Sequence, residues 1–166
     1  MGHPVLRAKA RAVERGDIKS ASVQELIDDM IETMLEYHGV GLAAPQLGEA
    51  LQACVIEVES HLYELVNPRI VRATGDDRDL EGCLSIPGYV AYVERREKVW
   101  VVAQDRHGKK YKVTGSGLLG RALQHELDHL DGKLYIDYLE SMDELIPVGQ
   151  GDEDEAEVRE ATSALA

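Results

Sequence analysis

The sequence feature that most constrains this chain is the string QHELDH at residues 124–129, which lies within a predicted helix. Apolar residues recur there at helical spacing, namely Leu119, Ala122, Leu123 and Leu127. This periodicity predicts an amphipathic helix over residues 117–130, with Gly132 as its stop. A surface helix that carries chance histidines is the alternative, and the regular patterning around the string disfavours it.

The two histidines of the string are four residues apart, which places His125 and His129 one above the other on the same helix face. Two imidazoles in that arrangement can direct ring nitrogens at a single metal ion. Glu126 lies about 100° around the helix from His125, so it can reach the edge of such a site without being forced to bind the ion. That is the position of a general base for a water molecule.

A catalytic metal site needs a third protein ligand and an open position. One class of zinc protease places a third histidine six residues after the second, but that position is Tyr135 here. Another class uses a more distant glutamate, whereas Glu140 and Glu144 lie rather close in the chain. Cys83 is the better candidate because Gly82 before it adds no side-chain bulk and allows close approach to an ion.

A second amphipathic helix is predicted nearer the start of the chain. Its apolar residues recur at helical spacing, and these are Val23, Leu26, Ile27, Met30, Met34 and Leu35. Ser22 and Glu25 form the pattern of a capping box, and Gly39 marks the stop. Residues 39–46 follow, a segment that is too rich in small residues and too interrupted to predict regular structure.

Strand-like runs fill the middle of the chain. They are residues 53–58, 62–66, 70–73, 90–93, 98–104 and 110–114. The last two meet across the string DRHG at 105–108, which indicates a hairpin. Strands therefore dominate the middle and helices lie near each end, an order that predicts an α+β fold rather than alternating βαβ units.

Composition narrows the class of protein. A chain of 166 residues suits one domain, and no apolar run approaches the length that spans a bilayer. The net charge of −13 argues against a broad electrostatic footprint on nucleic acid. Two cysteines are too few for a disulfide framework and fit a reducing cytoplasm, with Cys54 interpreted as a small buried hydrophobe. Residues 150–166 hold six acidic residues against one arginine, which predicts a flexible, solvated tail.

Three strings, GVGLAAPQ at 39–46, EGCLS at 81–85 and QHELDH at 124–129, resemble the three signature motifs of the peptide deformylases, in the family's order. The resemblance extends from about His3 to about Leu139. It implies a central metal-binding helix surrounded by antiparallel sheets. It also implies the family's reaction, which removes the formyl group from the N-terminal formyl-methionine of new polypeptides and releases formate. We expect a catalytic domain at 1–147 and an acidic tail at 148–166.

The resemblance also assigns roles to residues. It implies that Cys83, His125 and His129 hold the metal and that Glu126 is the acid/base. The side-chain amide of Gln46 and the backbone N–H of Leu84 would face the developing oxyanion. The positions that would border the substrate are Val40, Gly41, Gly82 and Arg95.

The implied cofactor is one divalent ion, ferrous iron in the cell, with zinc, nickel or cobalt as alternatives in a purified sample. The nucleophile would be a water molecule that the ion acidifies. The implied partners are N-formyl-methionyl peptides and nascent chains in the cytoplasm, with transient ribosome contact. Many bacterial members dock on the ribosome through a basic C-terminal helix, and the acidic tail here disfavours that route.

Other interpretations of the same residues remain open. The metal centre could serve another N-formyl or small amide substrate, or the ion could be a structural staple, although a closed structural site takes four protein ligands. The chain also begins almost at its PVLR string at residues 4–7, so the short extended segment that usually precedes it in the family is either missing or lies upstream.

Overall fold

The computed structural model describes residues 3–148. Two α-helices are present, α1 at Ala21–Glu36 and α2 at Gly117–Leu130. The strands are β1 Gly41–Ala43, β2 Ala53–Val58, β3 His61–Thr74, β4 Asp77–Cys83, β5 Ile86–Arg95, β6 Lys98–Gln104, β7 Lys110–Ser116 and β8 Ile146–Pro147. Short 3-10 helices occupy Pro4–Arg7, Ala44–Leu47, Tyr135–Tyr138 and Met142–Glu144. The predicted acidic tail, apart from Val148, lies outside the described residues.

The strands form two antiparallel sheets, which confirms the predicted α+β class. One sheet has five strands in the order β1-β2-β3-β6-β7, and the other has three in the order β4-β5-β8. Helix α2 packs on one face of the larger sheet through a cluster that includes Leu123 and Leu130. Helix α1 packs on the opposite face, over β1 and β2, through a cluster that includes Met30 and Met34. Helix α2 is therefore central, as the resemblance implies.

Helix α1 begins slightly earlier than its predicted cap. Ser20, rather than Ser22, is the N-cap residue, because its backbone is extended and its Oγ accepts a hydrogen bond from the Val23 N–H at 3.4 Å. Ser22 already lies within the first turn of the helix. The capping box predicted from Ser22 and Glu25 is therefore wrong. The apolar face of the helix is confirmed for its buried members, which are Val23, Leu26, Ile27, Met30 and Met34. Leu35 was predicted to belong to that face and does not, because its side chain is 52% exposed near the end of the helix.

Two features of the sheets differ from the predicted runs. The runs at 62–66 and 70–73 belong to the single strand β3, which continues through irregular pairing with β6 around Asn67, a residue with φ of 51°. Strand β4 was not predicted because its sequence, DRDLEGC, lacks an apolar alternation and its one buried charged residue, Glu81, reads as a loop residue.

Residues 39–46 contain regular structure, contrary to the prediction. Gly41 pairs with Ile56 and Ala43 pairs with Cys54, so the small residues form β1 at the edge of the larger sheet. Ala44–Leu47 then form one 3-10 turn. A three-residue strand of small residues has too little pattern to be detected from sequence. None of the helices within residues 3–148 has the length and hydropathy needed to cross a bilayer.

Candidate metal and catalytic site

Two distant parts of the chain converge where the smaller sheet meets α2. Cys83 is the last residue of β4, and His125 and His129 lie on the buried face of α2. One potential ligand atom from each of these three residues lies within 4.8 Å of the others, and the Cys83 Sγ is 3.3 Å from the His129 Nε2. All three side chains are buried. The structure therefore brings together the three residues that the sequence nominates as metal ligands.

The donor atoms of this cluster fit a divalent transition metal. A thiolate with two imidazoles is a ligand set that iron, cobalt, nickel and zinc accept. Within the described residues, the His125 Nε2 and the His129 Nδ1 are buried without a hydrogen-bond partner. Buried polar nitrogens are costly without partners, and a bound ion would provide one for the His125 Nε2.

Glu81 orients one of the two histidines. Its Oε2 lies 3.0 Å from the Nδ1 of His125, so an Nδ1–H donates to the carboxylate and the Nε2 remains available to an ion. The same carboxylate accepts two hydrogen bonds from Arg95, at 2.7 and 2.9 Å, and one from Arg121 at 2.9 Å. Burial alone would raise the pKa of Glu81, but the bonds from Arg95 and His125 hold that pKa well below its ordinary value. Glu81 is therefore a buried carboxylate anion.

Glu126 is fully buried next to β1, and both of its carboxylate oxygens lack a hydrogen-bond partner within the described residues. A Cβ placed on Gly41 would lie 2.9 Å from the Cδ of Glu126, so the glycine leaves space for this side chain. Burial raises the pKa of Glu126 to about 7, against the opposing effect of His125 and His129. A carboxyl group with that pKa can both accept and release a proton near neutral pH.

The two histidines differ in their protonation. Burial lowers the pKa of His129 to about 4, and the neighbouring His125 acts in the same direction. Burial also opposes protonation of His125, but the neighbouring Cys83 and the carboxylate of Glu81 outweigh it and raise the pKa of His125. His129 is therefore neutral at physiological pH, which is the form that binds a metal ion.

Gln46 lies beside the cysteine. Its Oε1 accepts a hydrogen bond from the Ala43 N–H at 2.9 Å, which fixes the amide plane. Its Nε2 then faces the turn after β4, 3.2 Å from the Ser85 Oγ and 3.8 Å from the Cys83 Sγ. Leu84 lies in that turn, directly after the cysteine. The amide donor of Gln46 thus approaches both neighbours of Leu84 in the chain, Cys83 and Ser85.

The four residues expected to border a substrate occupy different environments. Gly41 lies against Glu126, and Val40 before it accepts a hydrogen bond from the Glu57 N–H at 2.8 Å. Gly82 is buried in the β4–β5 pairing, adjacent to Cys83. The side chain of Arg95 is buried and contacts carboxylates rather than the space beside the ligands. Arg95 instead holds the Glu81 carboxylate through two hydrogen bonds.

Sequence reasoning missed the residues that support the ligands. Arg95 also pairs with Asp128, and Arg121 donates to Asp77 at 2.8 Å and to the Val93 carbonyl at 2.9 Å. Asp128 lies inside the string QHELDH and Glu81 inside the string EGCLS, so their positions next to the ligands in sequence were a usable signal. Arg121 gave no sequence signal of a buried role, because an arginine on a helix is ordinarily a surface residue.

The alternative ligands lie elsewhere. Tyr135 donates its hydroxyl to the Tyr89 carbonyl at 3.0 Å and stacks against His125, with ring centroids 6.4 Å apart. Glu140 and Glu144 are exposed. Cys54 is a buried member of the core between the larger sheet and α2, as interpreted from the sequence.

Comparison with known proteins agrees with these motifs and this geometry. The family model described as polypeptide deformylase matches residues 1–144. The peptide deformylase of Heliobacterium modesticaldum is 50% identical over 141 residues, which cover 85% of this chain and 91% of that protein. The crystal structure of a peptide deformylase from Legionella pneumophila is 46% identical with a TM-score of 0.79, covering 83% of this chain and 82% of that one.

A third relative has been solved with a peptide bound. The Met-Ala-Ser-bound crystal structure of the class I type b peptide deformylase from Acinetobacter baumannii is 31% identical with a TM-score of 0.81. The match covers 84% of this chain and 94% of that chain. This chain therefore belongs to the peptide deformylases, a family of hydrolases.

Proposed function

We propose that this protein removes the formyl group from the N-terminal formyl-methionine of newly made polypeptides and releases formate. The observation that carries the proposal is the buried convergence of Cys83, His125 and His129 next to the carboxylate of Glu126. Three protein ligands leave a position for water, as catalytic sites require. Glu126 lies beside these ligands with a pKa suited to proton transfer.

Cys83, His125 and His129 would hold one divalent ion, which we propose to be ferrous iron in the cell, with zinc, nickel or cobalt as substitutes in a purified sample. When bound, the ion supplies Lewis acidity that lowers the pKa of water and polarises a carbonyl group. The hydrogen bond between Glu81 and the His125 Nδ1 fixes the ring so that the Nε2 is directed at the ion.

Glu126 would move the protons of the reaction. As the base, its carboxylate accepts a proton from the attacking water molecule, and it then donates one to the amine that leaves when the formyl C–N bond breaks. Its unpartnered oxygens support this role, because a carboxylate tied up by hydrogen bonds would be a poorer base.

The Gln46 amide and the Leu84 N–H would stabilise the negative charge that develops on the formyl oxygen. Losing one such donor typically costs about 2.7 to 4 kcal/mol of transition-state stabilisation. The hydrogen bond from the Ala43 N–H holds the Gln46 amide in place before substrate arrives. That preorganisation supports the assignment of Gln46 as an oxyanion donor.

The edge strand β1 offers a place for the peptide. Its position at the end of the five-stranded sheet leaves backbone groups that could pair with an extended peptide as an added strand. Val40 and Gly41 lie at that edge, and Gly82 lies beside the cysteine. The Met-Ala-Ser complex of the Acinetobacter baumannii relative supports a peptide that begins with methionine as the ligand class. Arg95 contributes indirectly in this proposal, by supporting Glu81.

The proposed substrates arise where translation takes place, so we infer that the protein acts in the cytoplasm. The alternative of a different N-formyl or small amide substrate uses the same metal centre. Rates on formyl-Met peptides, compared with acetyl-Met and formyl-Gly peptides, distinguish the two. Equal rates on all three would contradict the proposed substrate.

The decisive test compares Glu126→Gln with Cys83→Ala, both prepared without oxygen, for metal content and for formate release from a formyl-Met peptide. We expect Glu126→Gln to retain stoichiometric metal and to lose hydrolysis by at least about a hundredfold, the low end for a general acid/base. Cys83→Ala should lose both. Full hydrolysis by metal-loaded Glu126→Gln would refute the role of Glu126, and full metal content in Cys83→Ala would refute the ligand set.

A further inference from the structure

Strands β6 and β7 have one buried face and one open face. In β6, Val99, Val101 and Ala103 are buried against α2, whereas Lys98 and Trp100 point the other way. In β7 the alternation continues. Lys110, Lys112 and Thr114 are exposed on either side of the buried Val113. The open face of these strands is therefore solvent-facing and rich in lysine.

This open face lies on the side of the sheet that carries α1. Val66 of β3, which packs in the α1 cluster, pairs with Gln104 of β6, whose side chain points to the same side as Trp100. Helix α1 packs over β1 and β2, and it does not extend over β6 and β7. Within residues 3–148, no helix covers this part of the sheet.

Five cationic side chains occupy the uncovered area, which we call the basic face. They are Arg69, Arg72, Lys98, Lys110 and Lys112. All five are exposed, and none forms an ion pair with a carboxylate of residues 3–148. Other cations do pair, as Lys9 does with Asp131 and Arg96 does with Asp76. A chain with a net charge of −13 thus groups five cations on one sheet face without a paired carboxylate among the described residues.

A half-buried tryptophan orders part of the basic face. The guanidinium of Arg72 lies 4.7 Å from the ring centroid of Trp100, and the ammonium of Lys98 lies 5.4 Å from it. Cation–π contacts of this kind restrict flexible cationic side chains and keep their charges near the sheet. These two cations are therefore partly preorganised for an anion.

The arrangement suits an extended polyanion rather than one small anion. The register places Arg69, Val102 and Lys112 side by side on three adjacent strands, which are spaced roughly 4.8 Å apart. Lys110 and Lys112 are two residues apart on one strand, a separation of roughly 6.8 Å. A depression of about 420 Å³ runs between Arg69 and these lysines, lined also by Asn67 and Gln104. Three of the five charges therefore line this depression instead of converging on a point.

We propose that the basic face binds the phosphate backbone of nucleic acid. RNA is the expected form, a choice that rests on the proposed function, because formylated polypeptides are made on RNA. The net charge of the chain led to the opposite expectation, but net charge averages over the molecule, whereas phosphate contacts depend on local cations. Membrane insertion requires a contiguous apolar surface. On β6 and β7 the open face has only Trp100 and Val102 among its polar residues.

The test uses the full chain and a short fluorescent single-stranded RNA of mixed sequence, with binding followed by anisotropy over a series of salt concentrations. The logarithm of the binding constant should fall linearly with the logarithm of salt concentration, with a slope of about −0.7 for each neutralised phosphate. The variant Lys110→Glu with Lys112→Glu should weaken binding by on the order of tenfold and reduce the slope by about 1.4, since two contacts are lost.

The matched control is Arg78→Glu with Lys133→Glu, which changes the net charge equally at two exposed cations outside the basic face. Its RNA binding should stay near the wild-type value. Formate release from a formyl-Met peptide should be unchanged in both double variants. The anisotropy measurement does not depend on that activity, so RNA binding and deformylation can each fail separately. RNA binding that does not depend on salt would overturn the proposal. So would a control variant that weakens binding as much as the Lys110 and Lys112 variant does, or displacement of the labelled RNA by polyglutamate as effective as that by unlabelled RNA.

Discussion

At the scale of single residues, Glu81 connects the ligands to the rest of the fold. It accepts hydrogen bonds from Arg95, Arg121 and His125 while being fully buried. A buried carboxylate among two arginines is stable only as an anion with all its bonds made, because an uncompensated buried charge is costly. The orientation of one proposed metal ligand therefore depends on an ion-pair network.

Glu81→Gln keeps the shape of the side chain but removes its charge, leaving Arg95 and Arg121 undercompensated. We expect a loss of about 3 kcal/mol in the free energy of unfolding, measured by urea denaturation, and a 10- to 100-fold weaker metal affinity, measured in metal buffers. The control is Asp137→Asn, which removes a more exposed partner of Arg7 and should cost no more than about 1 kcal/mol. Unchanged metal affinity in Glu81→Gln would refute the positioning role.

Gly41 is constrained by the neighbouring carboxylate rather than by its backbone angles. An alanine Cβ would lie 2.5 Å from the Oε1 of Glu126 and 2.9 Å from its Cδ and Cγ, so the Glu126 side chain would have to shift. Gly41→Ala should therefore displace Glu126 and reduce formate release at least about tenfold while metal content stays near wild type. Gly16→Ala, where an added Cβ meets nothing within 4 Å, should leave both measurements unchanged.

The limits of sequence reasoning at this scale follow from distance along the chain. His125, Glu126 and His129 share one helix, so their geometry follows from helical periodicity alone. Cys83 could be nominated because Gly82 before it allows close approach to an ion, and its string also resembles a known motif. The pairing of Glu81 with Arg121 joins residues 40 positions apart, and no local pattern encodes it.

At the scale of elements, the N-terminus of α1 shows how a cap depends on the preceding turn. The Ser20 N–H donates to the Asp17 carbonyl, and the resulting bend leaves Ser20 extended at the start of the helix. Ser20 and Ser22 are both of a residue type that is favoured at the N-cap, so the local sequence does not distinguish them. The path of the chain before the helix determines that Ser20 is the cap.

Ser20→Ala removes the side-chain acceptor of the Val23 N–H and should destabilise the protein by about 1 kcal/mol. Ser22→Ala lies within the first turn, where alanine is the better helix former, and should be neutral or slightly stabilising. Urea denaturation of both variants measures the difference. An equal or larger loss for Ser22→Ala would contradict the cap assigned to Ser20.

The strands were predictable where one face is apolar and the other polar. Strand β6 has that alternation, and its bounds at Lys98–Gln104 match the predicted run. Strand β4 fails the pattern because it buries Glu81 beside the candidate metal ligands and exposes charged residues elsewhere. The buried charge of Glu81 supports the candidate site, and the same charge prevents β4 from being predicted as a strand.

At the scale of the whole molecule, three tyrosines couple stability to alkaline pH. Burial raises the pKa of Tyr138 to about 12, and it raises the pKa values of Tyr111 and Tyr135 as well. The folded protein therefore keeps phenolic protons that the unfolded chain releases from about pH 10 upward. Because the folded state then binds more protons than the unfolded state, the free energy of unfolding falls as pH rises above that value.

Tyr111 gives this prediction a testable form, because its hydroxyl donates to the Glu64 carbonyl at 2.6 Å. Tyr111→Phe should lose about 1 kcal/mol at neutral pH, the typical net value of one hydrogen bond. It should also lose stability less steeply than wild type above about pH 10, since one retained proton is gone from the balance. Urea midpoints at a series of pH values measure both effects, with exposed Tyr37→Phe as the control. Parallel pH profiles for Tyr111→Phe and wild type would refute the coupling.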